Sequence, residues 1–424
     1  MSLELDDMIR WAAAKESSDL FLKANAAPAI RQHGKILPTD YPTLSADEVH
    51  RLAFSKMSQR QQAIFEQHHE MDLAFSVGEE IRIRMNVYNQ RGHTATVCRI
   101  IPTKMKTLEE LGIPPKVKEF GLHRAGLVLV TGPTGSGKTT TLASMIDLIN
   151  ETRQVNIVTI EDPIEFVHKD KKAIISQREI GIDTESFQMA LRHVLRQAPD
   201  VILIGEMRDI ETMNTALQAA ETGHLVFATV HTASAAETLD RISNMFQPHE
   251  RPMLWLRLSV SLRGVISQKL VPRADGKGRL AATEVMDVTP TIVKMLEEGR
   301  SDDIYSAIRQ AGQEDYWGMQ TMNQCLLRMY IEGQINEQDA LANSNPYTEM
   351  KQLIRMAVTK GEVAKGAGAS TPLQAPAPQS GPPPPIPPVP TLPVARDAGP
   401  VQFPPQQTQQ APPTVPDLPH VPGR

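Results

Sequence analysis

Residues 132–139, Gly-Pro-Thr-Gly-Ser-Gly-Lys-Thr, satisfy the spacing G-x-x-x-x-G-K-[ST], and Thr140 extends the run. The chemistry served by such a run is the holding of a polyphosphate. Gly132, Gly135 and Gly137 free the backbone to wrap until successive N–H groups converge on phosphate oxygens, with Pro133, Thr134 and Ser136 between them. A helix N-terminus behind the loop adds positive potential. Lys138 is then placed to reach the β- and γ-phosphates, and the Thr139 hydroxyl to ligate Mg²⁺. The motif also has the frame it needs. An apolar β-type run, 126–130, leads into it and a helix-like segment, 141–150, follows. A chance glycine-rich turn would lack that frame, so residues 132–140 are assigned to nucleotide binding.

Acids follow in the order such a site requires. Residues 157–165, IVTIEDPIE, end an apolar run in Glu161, Asp162 and Glu165. In doubly wound folds the carboxyl ends of strands face the ligand. Attack of water on a γ-phosphate needs a group to orient the nucleophile and carboxylates to organise the metal. Residues 201–209, VILIGEMRD, are a second apolar strand ending in acid, which places Glu206 to hold Mg²⁺ directly or through water. His224 and His231 bracket a third apolar run, 225–229. Each reads either as a structural histidine or as one that reaches the nucleotide or a neighbouring subunit. No Cys or further His completes a metal site around them. Upstream lie Arg82, Arg84, Arg91 and Arg99. Arg82 and Arg84, at i and i+2 on a strand, share a face. That face is either solvated or supplies charge to phosphoryl transfer from another domain or subunit.

The elements that must position these residues show in the patterning. Apolar runs at 126–130, 155–160, 201–204 and 225–229 alternate with helical segments at 188–197, 211–223 and 234–246. This is an α/β pattern, a parallel sheet covered on both faces. A long helix is expected over 252–268, then a Gly-rich turn at 275–278, a strand at 280–286 and helices to about 356. The core thus spans 116–287 and a helical subdomain 288–358. Ahead of it, residues 1–101 read as an α+β domain. Its first helix, within 1–15, points Leu3, Met8, Ile9, Trp11 and Ala12 inward. A turn at 17–19 enters a strand, and a hairpin over 28–37 closes at His33-Gly34. Ser45 and Glu48 form a capping box for helices within 45–67, and strands follow at 72–77, 81–88 and 95–101. Residues 102–115, polar and punctuated by proline, read as a linker.

From 359 onward the composition collapses. The last 64 residues hold 19 of the 33 prolines, too little apolar surface to fold, and sample polyproline II. The tail is either passive or a ligand for a proline-binding domain. Elsewhere, 41% hydrophobic but only 4% aromatic content makes the core aliphatic and methionine-filled. A net charge of −5 gives no general pull toward nucleic acid or anionic lipid. Cys98 and Cys325, far apart, suit a reducing compartment. No apolar run approaches the roughly 20 residues that span a bilayer, and the start lacks the apolar centre of a secretory signal. A cytoplasmic protein is expected, with any membrane work done through a partner.

Five strings in correct order, TGPTGSGKTT (131–140), IEDPIEFVH (160–168), RQAPDVILIGEMRD (196–209), AETGHLVFATVH (220–231) and GMQTMNQ (318–324), resemble the PilT type of type IV pilus retraction ATPase, a motor of the secretion superfamily. The resemblance spans about residues 5–356. It implies a cytoplasmic homo-hexamer whose subunits pair a PAS-like N-terminal domain with a RecA-like ATPase domain. ATP and Mg²⁺ are the implied cofactors. An inner-membrane pilus platform protein and a paralogous motor ATPase are the implied partners. By resemblance, Glu165 polarises the attacking water, Glu206 is the Walker B glutamate, and His224 and His231 form the His box. The N-terminal-domain arginines that reach the nucleotide fall among Arg82, Arg84 and Arg99, with Arg84 and Arg99 taken as catalytic. The implied function is ATP-driven pilus retraction. One segment departs from the family: residues 291–298, TIVKMLEE, stand where it has AIRNLIRE, and both arginines are lost. A PilU-like accessory role is therefore the alternative. An assembly or secretion ATPase is disfavoured, because those usually carry a longer N-terminal region and often a tetracysteine metal site.

Overall fold

The computed structural model describes residues 3–363 apart from 33–34, 79–80, 103–104 and 315–316. The hairpin closure at His33-Gly34 and the proline-rich segment from 364 lie outside the described residues. The chain opens with α1 (Leu5–Ala14), whose Leu5, Met8, Ile9 and Ala12 are buried at helical spacing. β1 (Asp19–Lys23), β2 (Ala29–Gln32) and β3 (Lys35–Pro38) follow. Next come α2 (Ala46–Phe54) and α3 (Gln59–His68), each begun by a reciprocal capping box, Ser45 with Glu48 and Ser58 with Gln61. β4 (Glu70–Val77), β5 (Ile81–Gln90) and β6 (His93–Pro102) complete an antiparallel sheet ordered β3-β2-β1-β6-β5-β4. Strand alternation sends Ile83, Met85 and Val87 of β5 into the core beneath the helices. Arg82 and Arg84 take the other face, which meets the second domain: Arg82 Nη2 donates to Glu179 at 3.3 Å.

The second sheet follows α4 (Lys116–Phe120) and begins with β7 (Gly126–Thr131), the strand that delivers the chain to the glycine-rich loop. α5 (Lys138–Thr152) leaves that loop. β8 (Asn156–Glu161), β9 (Ile174–Glu179), α6 (Phe187–Val194), β10 (Val201–Ile204), α7 (Ile210–Glu221), β11 (Leu225–Val230), α8 (Ala235–Met245) and α9 (Arg251–Ser261) come next. β12 (Leu262–Pro272) and β13 (Arg279–Asp287) close a sheet ordered β13-β12-β7-β11-β10-β8-β9. Pairing is parallel except between β12 and β13. β7 and β11 are buried at every position, as strands covered on both faces must be. Residues of α4 and α5 pack on one face, and those of α6 to α9 on the other. The segment expected to be a polar linker is anchored by two apolar residues, since Leu108 and Ile113 are buried with Val117, Met145 and Ile149.

One expectation is overturned. Residues 252–268 are not a single helix: α9 stops at Ser261, and the chain continues directly into β12, parallel to β7. Leu262, Val265, Ile266 and Leu270 fall at i, i+3, i+4 and i+8, which mimics a buried helical stripe. The decisive factor is nonlocal. The N–H and C=O groups along the edge of β7 are buried and need partners, and β12 supplies them. Gly264 fits this strand because a Cβ there would lie 2.4 Å from the Phe120 ring.

After β13 come α10 (Pro290–Glu297), α11 (Ile304–Glu314), α12 (Met322–Ile331), α13 (Glu337–Asn343) and α14 (Tyr347–Thr359). The last three gather a core of their own, with Leu326, Tyr330, Ala340 and Ile354 buried against Val271 and Ala282 of the β12–β13 hairpin. Among the described residues, no helix is long and apolar enough to cross a membrane.

Candidate nucleotide site

The glycine-rich loop is fixed by space as well as by dihedral angle. Gly132 has φ +143°, and a Cβ there would sit 2.3 Å from the Gln268 carbonyl oxygen and 2.6 Å from Ser136 Oγ. Gly137, at φ +90°, begins α5 with no side-chain cap, whereas α7 and α8 are capped by Asp209 and Ser234. The first-turn N–H groups of α5 therefore have no side-chain acceptor of their own. Strand β12 braces the loop. Gln268 Nε2 donates to the Ser136 carbonyl at 2.9 Å, and Gln268 Oε1 accepts from Thr141 Oγ1 at 2.7 Å. Gln268 was missed because its strand reads as helix. Lys138 is 7% exposed, its Nζ donating to the carbonyls of Gly132 (2.9 Å) and Pro133 (3.1 Å). Burial lowers its pKa, and the charges of Glu206 and Glu165 pull it back up. Ser136 Oγ is buried without a hydrogen-bond partner. Open amides, a buried ammonium and an orphaned hydroxyl fit a bound polyphosphate.

A cavity of about 340 Å³ lies against this loop at the carboxyl ends of β8, β10 and β11. Thr134, Gly135, Lys138 and Thr139 line it, and Thr140 does not. Glu161, Asp162 and Glu165 all border it, but they are not equivalent. Glu161 is 7% exposed and accepts from Thr159 Oγ1 (2.6 Å) and Gln177 Nε2 (3.1 Å), and burial raises its pKa. It is locked into the sheet end. Glu165 is half-buried at the cavity wall, its backbone N–H turned to Glu161. Glu206 also lines the cavity. Its Oε2 accepts from Arg208 Nη2 at 2.7 Å and its Oε1 lies 3.1 Å from His231 Nε2. Arg208 first, and His231 after it, hold the Glu206 carboxyl below the usual range.

The two histidines part company. His231 borders the cavity, while His224 lies at the other end of β11, its Nδ1 2.9 Å from the Ala219 carbonyl. A six-residue strand rising ~3.3 Å per residue separates them by roughly 20 Å. His224 therefore does not reach the nucleotide of its own chain. The arginines divide too. Arg84 lines the cavity, and its Nε is buried with no partner. Arg99, its direct cross-strand neighbour, instead donates to Asp19 at 3.0 Å with a side chain 62% exposed, and is not among the lining residues. Two further lining residues, His168 and Arg208, carried no signal of their own in the sequence.

Two expected results follow from this geometry. Arg84→Ala should lower ATP turnover by about 10- to 100-fold. That is less than the roughly 10³-fold of an isolated arginine finger, because Lys138 and Arg208 remain in the cavity. Mixing Arg84→Ala with Lys138→Ala subunits should restore nothing, since Arg84 borders the Lys138 cavity of its own chain. Recovery of turnover on mixing would show that it acts across subunits. The second concerns pH. Burial pushes the His168 imidazole from its ordinary 6.5 down to about 4. A depressed folded-state pKa means the stability is present above pH 6.5 and is lost as pH falls toward 4. At pH 5 the loss is about 2 kcal/mol. Denaturation midpoints at pH 7.5 and 5 should differ more for the wild type than for His168→Phe.

Known proteins resemble this chain along most of its length. The sequence model of the "Type II/IV secretion system protein" family matches residues 3–365. The "Type IV pilus retractation ATPase PilT" of Pseudomonas aeruginosa is 45% identical over 338 residues, 80% of this chain and 97% of that protein. The "Type IV pilus ATPase PilU" of the same organism is 37% identical over 354 residues, 84% of this chain and 92% of that one. A crystal structure of the pilus retraction motor PilT with bound ADP superposes with a TM-score of 0.77 at 43% identity, covering 82% of this chain and 99% of its own. A family match along most of the chain, joined to a formed phosphate loop and its acidic strand ends, makes this protein a member of the type II/IV secretion system family, of the PilT-type retraction ATPases.

Proposed function

We propose that this chain is the ATP-hydrolysing motor subunit that powers retraction of a type IV pilus. The observation that carries the reading is the convergence of Lys138, Glu165, Glu206 and Arg84 on one cavity, in a chain similar to PilT along nearly all of PilT's length. Lys138 and the open amides of α5 bind the β- and γ-phosphates and neutralise charge that grows on the departing γ-phosphoryl group. Glu165 orients the attacking water and accepts its proton. Arg84, supplied by the N-terminal sheet, adds positive charge from the other wall. Mg²⁺ would be held by Thr139 and by Glu206, where it supplies charge neutralisation. Both Glu206 oxygens already have partners, Arg208 and His231, so contact through water suits this geometry better than direct ligation.

The finer reading is a homo-hexamer in the cytoplasm, docked on an inner-membrane platform protein beside a paralogous motor ATPase. Each subunit would pair a PAS-like domain with a RecA-like one. Support comes from the N-terminal sheet, whose Arg82 and Arg84 face the ATPase domain, and from the likeness to PilT. A deletion strain tests the function: excess pili that do not retract, with twitching lost, are expected, and normal twitching defeats the reading.

A second reading rests on α10. Its buried face holds Ile292 and Leu296, while Glu297 and Glu298 are exposed in the segment where PilT-type proteins carry arginines. A PilU-like accessory subunit would leave some retraction in the deletion strain.

A further inference from the structure

One buried carboxyl group, its pKa raised by burial, is not used by the nucleotide site. Glu284, on β13, is 2% exposed. Its Oε1 accepts the backbone N–H of Ala235 at 2.8 Å, and it accepts the backbone N–H of Met322 as well. Ala235 is the first residue of α8 and Met322 the first of α12. One carboxylate thus joins the N-termini of two helices that belong to different parts of the chain.

Neither helix needs this carboxylate as its cap. α8 is capped by Ser234, which accepts from the Glu237 N–H, while Glu237 reaches back to the Ala233 N–H at 2.8 Å. α12 has a complete capping box between Thr321 and Gln324. Burying a carboxylate costs several kcal/mol unless it is fully paired, and a neutral side chain of similar size would spare most of that cost. A neutral amide, though, has a single acceptor oxygen and an NH2 donor in place of the second, so it receives N–H groups from both helices only if both converge on one atom. What the carboxylate offers and Gln does not is a second acceptor oxygen, so that each helix can have its own.

The two helices lie on either side of a functional divide. Only Thr232, Ala233 and Ser234 separate α8 from His231, whose Nε2 touches Glu206 in the nucleotide cavity. α12 begins inside the string 318–324, which the nucleotide site leaves unexplained. That string is pinned to β13 around Glu284. Gln320 pairs with Val285 through backbone hydrogen bonds of 2.9 and 3.1 Å, and its Nε2 donates to the carbonyl and hydroxyl oxygens of Thr283. From α12 the path continues to α14, for Asn323 Nδ2 donates to the Pro346 carbonyl at 3.0 Å and to Glu349 at 2.9 Å. Lys269, on the same sheet face and electrostatically coupled to Glu284, ties α13 through the Asn343 carbonyl at 2.8 Å.

We propose that Glu284 is a positioning residue that transmits the nucleotide state from the His231–Ser234 loop to the helices α12 to α14. A shift of His231 with the γ-phosphate moves the first turn of α8, and the shared carboxylate carries that shift to α12. The inference rests on nucleotide binding at the cavity described above.

Backbone hydrogen exchange of the full chain, alone and with Mg²⁺ plus ADP or a slowly hydrolysed ATP analogue, tests it. In the wild type, exchange in 132–141 should slow with either nucleotide, and rates in 318–330 should differ at least twofold between the two. Glu284→Gln should keep the 132–141 response and a KM within about threefold, and lose the difference at 318–330. A carboxylate that merely stabilises the fold would lower the melting temperature and leave that difference intact, which overturns the proposal. So does a wild-type 318–330 segment that does not distinguish the nucleotides. No response at 132–141 would defeat the nucleotide reading itself, and this inference with it. Should Glu284→Gln fail to fold, Glu284→Asp decides: it keeps the charge but is one methylene too short to reach both helices. A retained difference in that variant overturns the link.

Discussion

Lys138→Ala is expected to lower ATP turnover by about 10³-fold. In water-excluded sites, removing one preorganised donor at developing charge costs roughly 10² to 10³-fold, and Lys138 brings a full charge rather than a dipole. Its ammonium is nearly buried and, among the described residues, bonded to two carbonyl oxygens of its own loop, so it is held ready rather than neutralised. The same geometry separates lost chemistry from lost folding. Burial already disfavours the charge, so its removal should leave the melting temperature no lower than the wild type's. A variant that hydrolyses ATP at the wild-type rate would remove the basis of the enzyme reading. One that melts much earlier would make Lys138 a structural residue.

Glu165→Gln is expected to cut turnover by about 10²–10⁴-fold while nucleotide affinity stays within a few-fold. The amide keeps the shape at the cavity wall and loses the basicity that draws a proton from water. The informative contrast is Glu161, which borders the same cavity. Its carboxylate is tied to Thr159 and Gln177 and its pKa is raised by burial, so Glu161→Gln should alter stability far more than rate. Single-turnover hydrolysis beside a fluorescent-nucleotide titration reads both quantities. If Glu165→Gln keeps its rate and Glu161→Gln loses it, the base lies at the strand end and not in the loop after it.

Much of the site was legible because its determinants are local. The phosphate loop is one contiguous stretch whose glycines answer to backbone dihedrals, and Gly132 and Gly137 do adopt positive φ. The strands 126–131, 156–161, 201–204 and 225–230 declared themselves by aliphatic runs that only a doubly covered sheet requires. Acid at the carboxyl end of such a run lies on the same rim of the parallel sheet as the phosphate loop, which is how Glu161, Glu165 and Glu206 come to border one cavity. The cap at Ser45 is equally local, a hydroxyl three residues from its partner.

The rest was settled by distances that no local pattern encodes. Residues 262–270 carry a stripe that suits a helix and a strand alike, and the unpaired edge of β7 made them β12, bringing Gln268 under the loop. Arg84 and Arg99 are direct cross-strand partners, alike in sequence context. Asp19, on the strand beyond, takes Arg99, and Arg84 is left facing the cavity. His224 and His231 look like a pair in the sequence, but a strand fixes its two ends at opposite rims of the sheet. Glu284 reads as one more polar residue beside Thr283 on β13 until the fold sets two helix N-termini against it. Sequence alone determined which backbone segments form and what chemistry they carry, because dihedral preference and periodicity act over a few residues. Only the tertiary structure decided which like residues share the site, because packing and charge pairing act through space.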